Sequence, residues 1–198
     1  MQIIGICGGI GSGKSTVSNV FSKHSIPVLD TDEIYHALTS APSACLDELV
    51  RHFGAQILSN GALDRSRLST LIFSSSDPLP ILNELNAITH KHVIREVDVR
   101  IADLESDGYD VVAVQVPLLF ESGFDKRCDV IVAVVADREV RIERIISRDS
   151  ISRERAISKI EAQMPDEFLI AHANYVINND LGLDNIELQV DNILKEII

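Results

Sequence analysis

The stretch that decides the fold is GGIGSGKST, residues 8–16, which directly follows the apolar run QIIGIC of residues 2–7. It matches the pattern G-x-x-x-x-G-K-[S/T], in which glycines let backbone N–H groups turn inward around phosphate oxygens. A helix that starts near the lysine adds a favourable dipole for an anion. We therefore predict a buried strand, a phosphate-binding loop and a helix, with the phosphates of a nucleoside triphosphate as ligand.

The loop contains the residue types that phosphoryl transfer requires. We expect Lys14 to bridge the β- and γ-phosphates and Ser15 to ligate Mg²⁺. The other nucleotide contacts predicted in this loop are Gly9, Gly11, Ser12, Gly13 and Thr16. A dinucleotide-binding fingerprint does not fit, because Lys14 occupies the place of its last glycine. The four fixed positions of the motif would coincide by chance in only about 1% of chains of this length, so we predict nucleotide binding.

The motif alone does not separate a kinase from a GTPase switch or a motor ATPase, which use the same loop. The sequence contains neither a D-x-x-G nor an N-K-x-D segment, and 198 residues are few for a motor. A phosphotransferase is therefore favoured.

Hydrophobic periodicity predicts an α/β fold around this motif. Further strands are predicted over residues 26–29, 111–116, 130–135 and 175–177, and helices over about 137–147, 152–163 and 183–197. No strand is predicted between residues 33 and 108, where the spacing of apolar residues is helical. Together, these strands and helices predict a P-loop NTPase with a doubly wound sheet of about five parallel strands.

The long helical stretch also predicts the domain organisation. We expect a nucleotide-binding core of residues 1–32 and 109–198, with a helical subdomain of residues 33–108 inserted between the second and third strands. The stretch is long for a simple crossover. We interpret it as a substrate-binding subdomain.

Two aspartates mark the predicted acceptor side. Asp30 and Asp32 come at the end of the second strand, at the carboxyl edge of the sheet where open α/β sheets bind ligands. Asp32 could take the proton of a substrate hydroxyl as a base, or position Mg²⁺ through water. The alternative is a structural one, because an aspartate at this point also caps a helix well.

Three arginines at i, i+3 and i+7 share one face of the predicted helix near residue 140. They are Arg141, Arg144 and Arg148. We expect a helical lid of about residues 138–163 that closes over the triphosphate and stabilises the transferring phosphoryl group. The alternative is a solvated face on which Glu139 and Glu143 pair with these arginines.

Composition limits the partners and the compartment. The formal net charge is −12, which argues against non-specific binding to nucleic acid or an anionic membrane. The three cysteines form no C-x-x-C pair and the six histidines form no metal-binding pattern. The apolar runs are shorter than a bilayer span and no secretory leader is recognised. We expect a cytoplasmic protein with no obligate protein partner.

Taken together, these segments resemble the dephospho-CoA kinase family over nearly the whole chain. The similar segments, in chain order, are residues 8–16, DTD of 30–32, FG of 53–54, GALDR of 61–65, LNAITH of 85–90, PLLFE of 117–121, the arginine helix with Gln163, and 173–178. The chain departs from the family pattern at Lys91, at Asn174 and at Gln115, where an acid would have completed Mg²⁺ coordination.

The resemblance implies transfer of the γ-phosphoryl group of MgATP to the ribose 3′-hydroxyl of dephospho-CoA. It implies that Asp32 is the base and that Lys14 and Arg144 act on the phosphates. Further nucleotide contacts implied are Arg141, Arg148 and Asn178, and further acceptor contacts are Asp64, Arg65, His90 and Leu119. Two alternatives stay open: a kinase for another small metabolite or a nucleoside monophosphate, and a nucleotide-binding regulatory module without an acceptor.

Overall fold

The chain folds around a central strand, β1, that leads directly into the glycine-rich loop. In the computed structural model, which describes residues 1–198, the strands are β1 (Gln2–Cys7), β2 (Val28–Asp30), β3 (Leu58–Ser59), β4 (Ala62–Leu63), β5 (Val111–Gln115), β6 (Val130–Val135) and β7 (Tyr175–Asn178). The α-helices are α1 (Lys14–Lys23), α2 (Thr31–Ser40), α3 (Ala44–Phe53), α4 (Arg65–Phe73), α5 (Pro78–Ser106), α6 (Arg138–Asp149), α7 (Arg153–Glu161), α8 (Asp166–His172) and α9 (Leu183–Ile197). No helix is both long and apolar enough to span a bilayer.

Internal contacts divide the chain into two units. The first consists of Met1–Asp30 and Leu104–Ile198, and the second is Thr31–Asp103. The first unit contains the sheet and the glycine-rich loop, and the second contains helices α2 to α4 and most of α5.

The sheet of the first unit has five strands in the order β2-β5-β1-β6-β7, all parallel, which confirms the predicted fold class. β1 lies in the middle and is fully buried at Ile4 and Ile6. Strands covered on both faces read as continuous apolar runs, because no side chain faces water. The loop at the carboxyl end of β1 therefore starts from the buried central strand of the sheet.

One face of the sheet packs against α1 and α9. Val17, Val20 and Phe21 of α1 are at most 1% exposed and join Ile186 and Val190 of α9 in the main hydrophobic core. These residues recur at the spacing of one helix face. Their burial fixes α1, and so fixes the position of its N-terminus at the end of the loop.

The second unit has its own core. Leu49 and Ile57 are fully buried in a cluster with Leu46, Phe53 and Leu68 from α3, α4 and their connections. Helix α3 is capped by a side chain, because the Ser43 hydroxyl accepts the Leu46 N–H.

Two elements differ from the sequence-based prediction. β3 and β4 form a short antiparallel hairpin in the stretch for which no strand was predicted, and its turn residues Asn60 and Gly61 both have positive φ. Strands of two residues are too short to show alternation, although Asn-Gly is a strong hairpin signal. α8 was also missed, because its seven residues give too few turns for a periodic pattern.

A matched pair of phenylalanine variants tests the role of α1 in this core. Phe21 is fully buried and Phe73 is 65% exposed, so the same deletion is made in two environments. We expect Phe21→Ala to lower the free energy of unfolding by about 3–5 kcal/mol and Phe73→Ala to change it by roughly 0.5 kcal/mol or less. Denaturant unfolding measures both values. Equal losses in the two variants would contradict the packing described for α1.

Candidate active site

The glycine-rich loop connects β1 to α1 and has the backbone that its glycines allow. Gly11 and Gly13 have φ angles of 79° and 93°, a region that side chains disfavour. Gly13 is the N-cap of α1, which begins at Lys14 as predicted. The first turn of the helix therefore points its N–H groups into the loop.

The carbonyl oxygens of residues 8–12 all accept hydrogen bonds from side chains. Lys14 Nζ lies 2.7 Å from Gly8 O and 3.2 Å from Gly9 O. Arg141 Nε donates to Ile10 O at 2.9 Å, and Arg144 Nη1 to Gly11 O at 3.2 Å. Ser12 O accepts from Asn179 Nδ2 at 2.8 Å and from Arg144. Each of these carbonyl oxygens therefore has a hydrogen-bond donor when no ligand is bound.

The opposite ends of these peptides suit an anion. The backbone N–H groups of Gly11, Gly13 and Ser15 have no acceptor within the protein. Ser12 Oγ is fully buried and has no hydrogen-bond partner. A buried hydroxyl without a partner is costly unless a ligand satisfies it. The loop therefore fits a phosphate group that accepts from these donors.

Ser15 and Thr16 lie in the first turn of α1, where a metal ligand was predicted. Ser15 is exposed and its hydroxyl makes no hydrogen bond to the protein, while Thr16 is half-buried. A hydroxyl oxygen available beside a phosphate cradle is a suitable Mg²⁺ ligand. The residues present therefore fit a magnesium ion bound with the nucleotide.

The three arginines predicted to share one face of α6 have three different environments. Arg144 is half-buried, bonds to loop carbonyls and to Asn179 O at 2.9 Å, and forms no ion pair with a carboxylate. Arg141 is 4% exposed and is ion-paired with Asp166 at 2.8 Å. Arg148 is exposed and pairs with Asp149 at 2.7 Å, which raises the pKa of the guanidinium. Of these three arginines, only Arg144 has no carboxylate partner.

The interpretation of the arginine face as a solvated surface does not hold. A solvated face paired with Glu139 and Glu143 is wrong for Arg141, which is buried against Ile10 and Asp166, and Glu139 instead pairs with Arg153. In this structure Arg141 and Arg144 hold the backbone of the loop.

Asn179, which sequence reasoning missed, is the asparagine that contacts the loop. It is 4% exposed, and a Cβ added to Gly13 would overlap its amide nitrogen. Asn178, the predicted contact, ends β7, is exposed, and accepts the Asp180 N–H through its side chain. Successive side chains along a strand point to opposite faces, so Asn178 and Asn179 point in opposite directions. Only the exact end of β7 could have distinguished the two.

Two further residues of the loop surroundings were not predicted as site residues. Gln163 Oε1 accepts the Ile10 N–H at 2.6 Å, and both carboxylate oxygens of Asp166 lie 2.8 Å from Arg141 Nη1. Gln163 was noted only as part of a family-like segment. Asp166 begins the helix that the periodicity did not reveal.

A polar chain lies where β2 and β5 end. The Ser18 hydroxyl donates to Gln115 Oε1 at 2.8 Å, and Gln115 Nε2 donates to a carboxylate oxygen of Asp30. Gln115 is 4% exposed, and both the oxygen and the nitrogen of its buried amide have a hydrogen-bond partner. The carboxylate at the end of β2 is therefore that of Asp30, and the Gln115 amide that donates to it is uncharged.

The predicted acceptor residues of the second unit have distinct environments. Asp32 is exposed in the first turn of α2, and since that helix begins at Thr31, Asp32 is not the N-cap. The Asp64 carboxylate accepts the N–H groups of Ser66 and Arg67 and so caps α4. A carboxylate occupied in this way has less capacity for a ligand.

Arg65 and His90 provide different chemistry within this unit. The exposed Arg65 guanidinium lies 5.5 Å from the ring centre of Tyr35, which is cation–π geometry. His90 is partly buried, and this burial lowers its pKa. His90 therefore offers a neutral ring near physiological pH, whereas Arg65 offers a permanent charge.

Leu119 and Cys7 contribute to the walls of the first unit. Leu119, a predicted acceptor contact, is 1% exposed and packs against Gly5, so the structure places it in the core, while its neighbour Leu118 is exposed. Cys7 precedes the loop, and burial raises the pKa of its thiol to about 12. It stays protonated and is no nucleophile.

Comparisons with known proteins identify the family to which the chain is similar. A profile of the dephospho-CoA kinase family matches residues 2–185. A Fusobacterium nucleatum protein named dephospho-CoA kinase is 38% identical over 198 residues, which is 100% of this chain and 99% of its own length.

Solved structures show the same fold. A Thermus thermophilus protein is 35% identical with a TM-score of 0.82, and the alignment covers 100% of this chain and 98% of that one. A dephospho-CoA kinase from Campylobacter jejuni has a TM-score of 0.70 at 21% identity, with the same coverage. The second likeness concerns the fold alone.

Two glycine variants separate backbone strain from contact in the loop. Gly13 and Gly108 have φ angles of 93° and 88°, but only at Gly13 would a Cβ meet another atom, Asn179 Nδ2. We expect both Gly13→Ala and Gly108→Ala to lose about 1–2 kcal/mol of stability from the positive φ. Only Gly13→Ala should also lose affinity for ADP, by about tenfold or more, because the cradle must shift. Calorimetric titration with ADP measures this, and equal affinities would show that the contact is unimportant.

Proposed function

The chain belongs to the dephospho-CoA kinase family, and on that premise we propose that it transfers the γ-phosphoryl group of ATP to the ribose 3′-hydroxyl of dephospho-CoA, giving CoA and ADP. The observation that carries the proposal is the cradle of residues 8–16, in which the carbonyls of residues 8–12 are held by side-chain donors. Loss of phosphate binding there would remove the reaction.

On the donor side, the cradle orients the triphosphate. Backbone N–H groups of the loop and of the first turn of α1 bind phosphate oxygens, and the Ser12 hydroxyl gains the partner it lacks. Lys14 exchanges its bonds to Gly8 O and Gly9 O for the β- and γ-phosphates. Arg144, the one α6 arginine without a carboxylate partner at the loop, stabilises charge on the transferring group.

Ser15 is the residue that would hold Mg²⁺. Its exposed hydroxyl lies at the start of α1, next to the N–H groups that bind the phosphates. Bound there, the ion supplies neutralisation of the β- and γ-phosphate oxygens during transfer.

On the acceptor side, Asp32 acts as the base. Its carboxylate is exposed in the first turn of α2, directly after the strand end. An aspartate within hydrogen-bond reach of the 3′-hydroxyl takes its proton as the oxygen attacks the γ-phosphorus. The bond to the bridging oxygen of ADP breaks in the same displacement.

The second unit binds the rest of the acceptor. Arg65 supplies positive charge for the diphosphate of dephospho-CoA, and its contact with Tyr35 limits the directions that the guanidinium can take. Asp64 caps the helix that presents Arg65. His90, as a neutral ring, contributes hydrogen bonds and not charge.

The net charge of −12 favours small-molecule partners over nucleic acid, and we place the reaction in the cytoplasm.

Incubation of the purified chain with MgATP and dephospho-CoA tests the reaction. We expect a product heavier by one phosphate, measured by mass spectrometry, and formation of ADP in equal amount. AMP and other nucleoside monophosphates serve as control acceptors and should give much lower turnover. A faster reaction with one of them, or slow ATP hydrolysis with no phosphorylated product, would exclude dephospho-CoA as the acceptor.

Replacement of the proposed base separates chemistry from binding. We expect Asp32→Asn to lower kcat by roughly 10²–10⁴-fold with little change in ADP affinity, because the lost group acts on the acceptor hydroxyl. Glu33→Gln is the matched control, since Glu33 is the exposed neighbour of Asp32 in the same helical turn. Steady-state kinetics and ADP titration measure both effects. Wild-type turnover in Asp32→Asn would remove the base from the mechanism.

A further inference from the structure

Ile10, in the middle of the phosphate loop, is held at three points. Its side chain packs against the cluster formed by Ile142, Ile145 and Ala156 of α6 and α7. Its carbonyl accepts from Arg141 Nε at 2.9 Å, and its N–H donates to Gln163 Oε1 at 2.6 Å. No other residue of the loop has its side chain, its N–H and its carbonyl all engaged by the segment of residues 138–166 that follows β6.

Asp166 keeps Arg141 in this arrangement. Both of its carboxylate oxygens lie 2.8 Å from Arg141 Nη1, and the arginine side chain is 5% exposed. A buried guanidinium without a carboxylate would be strongly unfavourable, so the pair is required for Arg141 to lie beneath the loop. A Cβ at Gly9 would overlap this guanidinium, which shows how closely the two approach.

The charge of Arg141 is therefore already neutralised by a carboxylate of its own unit. Such an arginine orients a backbone carbonyl and adds little positive potential for a phosphate. Gln163 and Asp166 belong to one short segment between α7 and the start of α8, so a single segment controls both polar groups of Ile10.

We propose that Gln163 and Asp166 are positioning residues for the phosphate cradle: Gln163 holds the Ile10 N–H, and Asp166 acts through Arg141 on the Ile10 carbonyl. Without them the peptides on either side of Ile10 rotate more freely, and a carbonyl oxygen that turns inward repels the phosphates. The inference rests on the proposed function, because it assumes that residues 8–16 bind a nucleotide.

The test uses the full chain and ADP alone, so that no acceptor is needed. The variants are Asp166→Asn, which keeps the shape of the side chain but removes its charge, and Gln163→Ala. The matched control is Glu167→Gln, because Glu167 is the exposed acidic neighbour in the same turn and forms no ion pair. Calorimetric titration gives the ADP Kd, and a thermal melt of each variant checks folding.

We expect Asp166→Asn and Gln163→Ala each to raise the ADP Kd by about fivefold or more, and Glu167→Gln to leave it unchanged. The KM for ATP should rise in parallel while the KM for dephospho-CoA stays constant, a split that a general loss of stability would not produce. Asp166→Glu should recover part of the affinity, since it restores the charge.

A different result would overturn the inference. If Asp166→Asn binds ADP as tightly as the wild type or more tightly, Arg141 is released to the phosphates and is a direct ligand. If Asp166→Asn does not fold, Gln163→Ala decides, and an unchanged Kd there refutes the positioning role. A wild-type chain that binds no ADP would instead contradict the proposed function.

Discussion

The direction of five consecutive peptide carbonyls, from Gly8 to Ser12, is the constraint on which the site depends. A loop can surround an anion only if its N–H groups point inward, and this requires that its carbonyl oxygens be held elsewhere. Here Arg141 holds Ile10 O and Asn179 holds Ser12 O, while Lys14 and Arg144 donate to the other carbonyls until phosphates replace these acceptors. The buried end of β1 and the buried face of α1 fix the two ends of the loop between these donors.

The donors also determine where positive charge remains in a strongly acidic chain. Arg141 is neutralised by Asp166 and Arg148 by Asp149, so each of these charges is compensated close to its own helix. Arg144 forms no ion pair with a carboxylate and donates to loop carbonyls, which it can give up when phosphates arrive. Arg144 and the N-terminus of α1 therefore contribute positive potential at the loop. In a chain with a net charge of −12, that local positive potential favours binding of a phosphate ligand at the loop.

Sequence alone could predict the sheet and the loop because their signals are local and regular. The run of residues 2–7, the glycine spacing and the spacing of Val17, Val20 and Phe21 each fix one element without knowledge of the others. The surroundings of the loop could not be predicted in the same way. Asn179 and Asp166 reach the loop from the far end of the chain, and only the packing of β7 and α8 brings them there. Arg141 and Arg144 share a helix face and look equivalent, yet burial gives them different partners.

The strand end at Gln115 shows how a departure from a family pattern can be compensated. An acid at this position, buried beside Asp30, would place two carboxylates in contact, and one of them would tend to hold a proton. The amide instead accepts from the Ser18 hydroxyl and donates to Asp30, so its direction is fixed from both sides. The chain therefore has one potential metal ligand fewer at this strand end, while the hydrogen bond from the Gln115 amide fixes the position of the Asp30 carboxylate.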